Sequence, residues 1–272
     1  MLKGVNQWAF PAGMPVAEAM GLARRVGFES FELCLGDDGP TPITLTEAEA
    51  VVIRREADQL GLALSSVATG MAWRWPLTAN EPEVRARATE IVEATLHVAK
   101  WLGADTVLVV PGLVTPEVSY ETALERALNG VRALVPLAES LGVCLGIENV
   151  WNKFLLSPVE MRDFIDECES PMVGAYVDTG NVMAYGFPEQ YLRILGRRVC
   201  KIHAKDFRVS AGNMDGFVML LEGDVNWPAV MAALRDIGYD GPLTAEYGPY
   251  KHGPETTLRH ACASLETIIG MV

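Results

Sequence analysis

Eight times along 272 residues, a short apolar run is followed by a longer stretch with helical periodicity, and few folds accommodate that rhythm. The strand-like runs are Gly4 to Ala9, Ser30 to Leu35, Leu62 to Ala68, Thr106 to Val110, Val143 to Glu148, Val173 to Asp178, Val199 to His203 and Leu243 to Glu246. Helical patterns follow at about 15–26, 46–60, 81–102, 119–141, 157–168, 188–196, 226–237 and 254–269. Gly27, Gly61, Gly103, Gly142 and Gly238 stand just past helical patterns, where a left-handed residue ends a helix most easily. Thr46 with Glu49, and Ser157 with Glu160, read as capping boxes, the second with Pro158 at the first helical position. Strand and helix in alternation imply a parallel sheet with right-handed crossovers, and eight units allow that sheet to close. An open, doubly wound sheet usually carries a glycine-rich phosphate loop after its first strand. Here that segment reads Phe10-Pro-Ala-Gly-Met-Pro15, with no G-x-G-x-x-G or Walker pattern elsewhere. The chain therefore reads as a single (β/α)8 TIM-barrel domain over residues 1–272, near the roughly 250 residues typical of that fold.

Lys and Arg number 22 against 35 Asp and Glu, a formal charge of −13, so the surface repels a phosphate backbone and nucleic acid is excluded as a partner. No run approaches the roughly 18 apolar residues of a membrane helix, and the first residues lack the apolar core of a targeting signal. A soluble, cytoplasmic protein with no membrane partner is expected. The five cysteines form no Cys-x-x-Cys pair and read as small buried hydrophobes.

Each of the last four apolar runs ends in a metal-seeking side chain: Glu148, Asp178, His203 and Glu246. In a strand buried on both faces an isolated carboxylate or imidazole is costly, and a shared cation offsets that cost. Separations of 30, 25 and 43 residues fit one ligand per strand-helix unit, so a barrel would gather all four at one mouth. Three carboxylates and one imidazole suit a single divalent ion, Mn2+ first, with Mg2+, Co2+ or Zn2+ as alternatives.

The strings Gly146-Ile-Glu-Asn149, Tyr176-Val-Asp-Thr-Gly-Asn181, Lys201-Ile-His-Ala-Lys-Asp206 and Thr244-Ala-Glu-Tyr247 resemble the xylose isomerase-like superfamily of sugar and sugar phosphate isomerases and epimerases. The likeness extends through Gly103-Ala-Asp-Thr-Val107 and Glu222-Gly-Asp-Val-Asn-Trp227, and the pattern is most similar to the ketose 3-epimerases. That resemblance implies one divalent metal on Glu148, Asp178, His203 and Glu246, chelating two neighbouring oxygens of a ketose. It implies Glu148 and Glu246 as the acid and base on opposite faces of a carbon beside the carbonyl, through a cis-enediolate. It also implies a sugar, sugar phosphate or keto sugar acid as substrate, and a homodimer or homotetramer. Two alternatives stay open: a lyase that expels a group beta to the carbonyl, and a catalytically silent sugar-binding barrel. Two departures are visible. Asn181 stands where epimerases of free ketoses commonly carry a histidine, and the Asp-x-Asp used by xylose isomerases for a second metal is absent after His203.

Substrate-binding candidates surround the quartet. Lys205 holds a substrate oxygen or pairs with Asp206; Arg208 grips a phosphate or carboxylate or lies exposed; Asn181 caps the following helix or touches substrate. Glu32, on the second strand, orients a polar neighbour. Trp8, Trp73, Trp75 and Trp151 offer aromatic faces to the C–H surface of a sugar. Lys153, Lys251 and His252 are loop cations within reach of a phosphate. His97 and His260, on helices, read as structural.

Overall fold

A computed structural model of the chain describes residues 1–271. Eight parallel strands close into a barrel: β1 (Lys3–Asn6), β2 (Ser30–Leu35), β3 (Ala63–Thr69), β4 (Thr106–Val109), β5 (Cys144–Glu148), β6 (Val173–Asp178), β7 (Val199–Ala204) and β8 (Leu243–Ala245). Eight helices alternate with them: α1 (Val16–Val26), α2 (Glu47–Leu60), α3 (Pro82–Leu102), α4 (Tyr120–Leu141), α5 (Pro158–Glu167), α6 (Pro188–Leu195), α7 (Trp227–Ile237) and α8 (Pro254–Ile269). The expected (β/α)8 TIM barrel is therefore the fold. Among the described residues, no helix is long and apolar enough to cross a membrane.

Closure depends on β1 meeting β8, in register from Lys3 on Leu243 to Val5 on Ala245. Gly4 permits that approach: a Cβ there would lie 2.8 Å from Thr244 Oγ1 and 3.1 Å from Thr244 Cα. The helices cover the strands with Leu96, Val131, Leu192, Val230 and Leu265, all fully buried, each contributing about 1.5–3 kcal/mol by leaving water.

Element ends follow the local chemistry. Thr46 and Glu49 form a reciprocal capping box. At the second expected box, Ser157 Oγ accepts from the Glu160 N–H at 3.1 Å, but the Glu160 carboxylate turns to the Leu156 N–H at 3.0 Å. The five predicted capping glycines all adopt the left-handed conformation. β1 stops at Asn6 rather than Ala9, because Asn6 Oδ1 accepts from the Trp8 N–H at 2.7 Å and bends Gln7–Ala9 into a 3-10 turn.

Three local features aim side chains at the barrel mouth. Register shifts interrupt β2 between Phe31 and Glu32, and β6 between Ala175 and Tyr176. Such irregularities re-aim the residues beside them. A single helical turn, Thr179–Val182, follows β6 with Asp178 as its cap. Beyond β7 the chain makes a long excursion before α7, in which Asp206–Phe207 pairs antiparallel with Phe217–Val218. The short pair and the single helical turn carry no periodic signal.

Candidate metal centre

Parallel strands bring all their C-terminal ends to one rim, so Glu148, Asp178 and His203, on β5 to β7, meet Glu246, the residue after β8. One ligand atom from each lies within 4.8 Å of all the others. His203 Nε2 lies 2.8 Å from Glu32 Oε1, and because an ionised carboxylate only accepts, Nε2 carries the hydrogen. Nδ1 then faces two carboxylates, at 2.9 Å from Glu148 Oε1 and 2.7 Å from Glu246 Oε2. Two anionic oxygens so close require positive charge between them: burial disfavours the imidazolium, but Glu32 and Glu246 outweigh it and raise the His203 pKa well above its ordinary value, so a proton on Nδ1 supplies that charge and a bound cation would replace it.

One cation is already built in. Lys205 Nζ lies 3.1 Å from Asp178 Oδ2 and 2.9 Å from Glu246 Oε1. It does not neutralise the cluster: Asp178 Oδ2 and Glu246 Oε2, both buried, have only Lys205 Nζ and His203 Nδ1, respectively, within ion-pair distance, and three carboxylates share those two groups. Three carboxylates and an imidazole nitrogen converging on one point fit a divalent ion. Burial pushes the Glu148 carboxyl up to about 7, with His203 only partly opposing it. Burial acts on Glu246 too, but Lys205 and His203 outweigh it and hold that carboxyl at about 2. The two glutamates differ because Lys205 contacts Glu246 directly.

A further layer fixes these four side chains. Glu32, fully buried, accepts from Ser66 Oγ at 2.6 Å and from Asn6 Nδ2 and the Tyr176 hydroxyl, while the Tyr176 ring lies 4.5 Å from that of His203. The Glu32 carboxylate thereby sets the tautomer and plane of the imidazole. Asn149 holds the Asp178 backbone from both sides, accepting its N–H at 2.9 Å and donating to its carbonyl at 3.0 Å. The Asn181 N–H donates to Asp178 Oδ1 at 2.7 Å, which leaves Oδ2 as the oxygen turned inward. Of these partners only Glu32 is visible in the sequence as an orienting group. Asn149 had one signal, its place beside Glu148; Asn6, Ser66 and Tyr176 had none.

Above the quartet opens a cavity of about 950 Å³. Trp8, Asn181 and Lys205 line it, with Trp73 and Trp151. Asn181 serves locally as well, its Nδ2 donating to the Asn149 carbonyl at 3.0 Å. Arg208, Trp75, Lys153, Lys251 and His252 do not line the cavity. The Arg208 guanidinium reaches the Glu222 carbonyl at 3.4 Å, Trp75 lies beneath the Arg74 guanidinium, and Lys153 stands exposed at φ 59. Nor does Lys205 pair with Asp206. The Asp206 carboxylate instead collects the N–H groups of Phe207, Val225 and Leu221 and the Trp227 indole N–H, at 2.9, 3.2, 2.9 and 3.0 Å. That bonding explains the string from Glu222 to Trp227: a Cβ at Gly223 would sit 2.2 Å from Asp206 Oδ1. Asp206 thus pins the excursion whose Met214, Phe217 and Met219 form an apolar wall of the cavity. Spacing along the chain gives no sign of that wall.

The whole barrel is shared with solved enzymes. A D-psicose 3-epimerase crystallised in the presence of D-fructose superposes with a TM-score of 0.84 over 99% of this chain and 100% of its own, at 19% identity. An L-ribulose 3-epimerase does so at 0.82, covering 98% of this chain and 94% of its own, at 18% identity. In sequence, a putative L-ribulose-5-phosphate 3-epimerase of Haemophilus influenzae is 24% identical over 249 residues, 89% of this chain and 87% of that protein. The model of one family matches residues 20–268, a span from α1 to α8 that takes in all four converging side chains, and the chain therefore belongs to the xylose isomerase-like TIM barrel family.

Proposed function

We propose that this protein is a divalent-metal-dependent sugar epimerase or isomerase of the ketose 3-epimerase type. The observation that carries the reading is the convergence of Glu148, Asp178, His203 and Glu246 within 4.8 Å, three carboxylates served by one ammonium and one imidazole. Those four residues would hold the ion, for which Mn2+ is the first expectation on donor chemistry. A bound divalent cation supplies electrophilic stabilisation for negative charge developing on a carbonyl oxygen, worth several kcal/mol. The names of the relatives, ketose and ketose phosphate 3-epimerases, support the same class.

The chain's own groups then account for inversion. Glu148 on β5 and Glu246 after β8 come from opposite sides of β7, the strand that carries His203, and lie 2.9 and 2.7 Å from its Nδ1. One carboxylate removes the proton beside the carbonyl, and the other, in its acid form, returns a proton to the opposite face. Lys205 holds Glu246 and Asp178 in place and neutralises part of the cluster's charge. Asn149 and Glu32 keep Asp178 and His203 from turning away. We expect a cytoplasmic homodimer or homotetramer.

Incubation of the Mn2+-loaded protein with ketoses in D2O tests this. Inversion at one carbon with one deuterium gained there supports the epimerase. A product lighter by one water, with no epimer, would replace it by the lyase, and absence of any exchange or product across the panel would overturn it.

A further inference from the structure

The cavity walls carry information about the substrate that the metal quartet does not. Among the residues lining it, Lys205 is the one Lys or Arg, and its ammonium is already engaged by Asp178 and Glu246. The cavity adds negative charge elsewhere, with Glu222 on its wall and Asp206 beneath. Asn181 is neutral, and its amide is committed to the Asn149 carbonyl. A phosphate dianion entering there would meet no uncommitted cation among the lining residues, while the nearest arginine in sequence, Arg208, is not one of them and turns its guanidinium to the backbone carbonyl of Glu222.

Size and polarity point the same way. A free ketohexose has twelve non-hydrogen atoms; allotting each the ~30 Å³ of a water molecule fills at most roughly 360 Å³. Most of the 950 Å³ is left over, and it is walled by apolar side chains. Trp73 and Met214 both line this space while remaining 52% and 65% exposed, and Trp8, also in the lining, is 38% exposed. Large apolar surfaces gathered around one opening, above a polar floor, mark a place where an apolar group is bound.

We propose that the site takes an uncharged sugar bearing an apolar substituent, such as an aryl or alkyl group, and discriminates against sugar phosphates. The metal floor would hold the sugar's oxygens, and the Trp73 and Met214 walls would cover the substituent. The proposal rests on the sugar-epimerase reading for the sugar alone; the preference among substituents comes from the walls.

Three probes that differ at one position test it: a free ketohexose, its 6-phosphate and its 6-O-benzyl ether, each titrated into Mn2+-loaded protein by calorimetry, with deuterium exchange followed separately. The benzyl ether is expected to bind about tenfold tighter than the free sugar, on the scale of one aromatic contact, and the phosphate more weakly than either. Trp73→Ala should abolish the benzyl advantage, lowering the benzyl ether's affinity by about tenfold and the free sugar's by less. Phosphate binding tighter than the free sugar, or a benzyl ether no tighter than it, overturns the proposal even if exchange proceeds. The predicted order of binding without exchange upholds the proposal and overturns the epimerase reading instead. If none of the three binds, both fall. If Trp73→Ala preserves the order and changes the sedimentation coefficient, the rim is a protein contact and the proposal falls.

Discussion

The two halves of this barrel are built from the same repeat, yet they end differently at the rim. β5 to β8 deliver Glu148, Asp178, His203 and Glu246, whereas β1 to β4 end in Asn6, Leu35, Thr69 and Val109. The first half also holds a buried carboxylate, Glu32, but it is saturated by Asn6, Ser66, Tyr176 and His203. In the second half, Glu148, Asp178 and Glu246 share just two partners of opposite character, the Lys205 ammonium and the His203 imidazole. Both halves contain buried charge; what separates them is how many donors the protein supplies for each carboxylate. A carboxylate with four donors is scaffold, whereas three carboxylates around two cationic groups leave room for a cation.

That contrast can be broken by substitution. The largest effect is expected from removing the ion itself: dialysis against a chelator should reduce turnover to background, and Mn2+ should restore it, as followed by polarimetry on a ketose. His203→Ala should make the loss permanent and leave no bound divalent ion by elemental analysis. Next come Glu148→Gln and Glu246→Gln, each expected to lower kcat by about 10²–10⁴ with a smaller change in KM, measured by steady-state kinetics. A variant of either glutamate with full activity would remove it from proton transfer. Glu32→Gln, in the scaffold half, should weaken divalent-ion affinity by about 10–100-fold through the loosened imidazole, and calorimetry with Mn2+ reads this directly. An effect as large as that of His203→Ala would erase the distinction between the halves.

Asp206→Asn sharpens the same point within the second half, where a charged residue beside the ligands is structural. Placing an amide NH2 against the Leu221 and Trp227 N–H groups should cost about 1–3 kcal/mol of local stability. The checks are faster proteolysis between residues 208 and 224 and a raised KM. The smallest effect on chemistry is expected from Leu108→Ala, on a buried cavity wall of the first half. It should lower stability by about 2 kcal/mol in urea unfolding while kcat stays near the wild-type value.

The barrel was readable in the sequence because each of its eight units buries its own strand and helix, so the local pattern and the global fold agree. The helix ends fell within a residue or two of expectation, since Thr46, Ser157 and the capping glycines act on neighbours only. The quartet was readable for a related reason: a parallel barrel carries every strand end to the same rim, so four residues at equivalent positions in successive units must meet. The sequence by itself therefore determined the fold class and the convergence of Glu148, Asp178, His203 and Glu246. Tertiary structure decided what those residues lean on and what they face. Glu32 meets His203 and Tyr176 across 171 and 144 residues, and Lys205 chooses Asp178 and Glu246 over its neighbour Asp206. The apolar wall from Met214 to Met219 exists because Asp206 gathers four N–H groups from a folded-back excursion. Such contacts depend on the path of an irregular loop and on small register shifts in β2 and β6, neither of which has a periodicity to read.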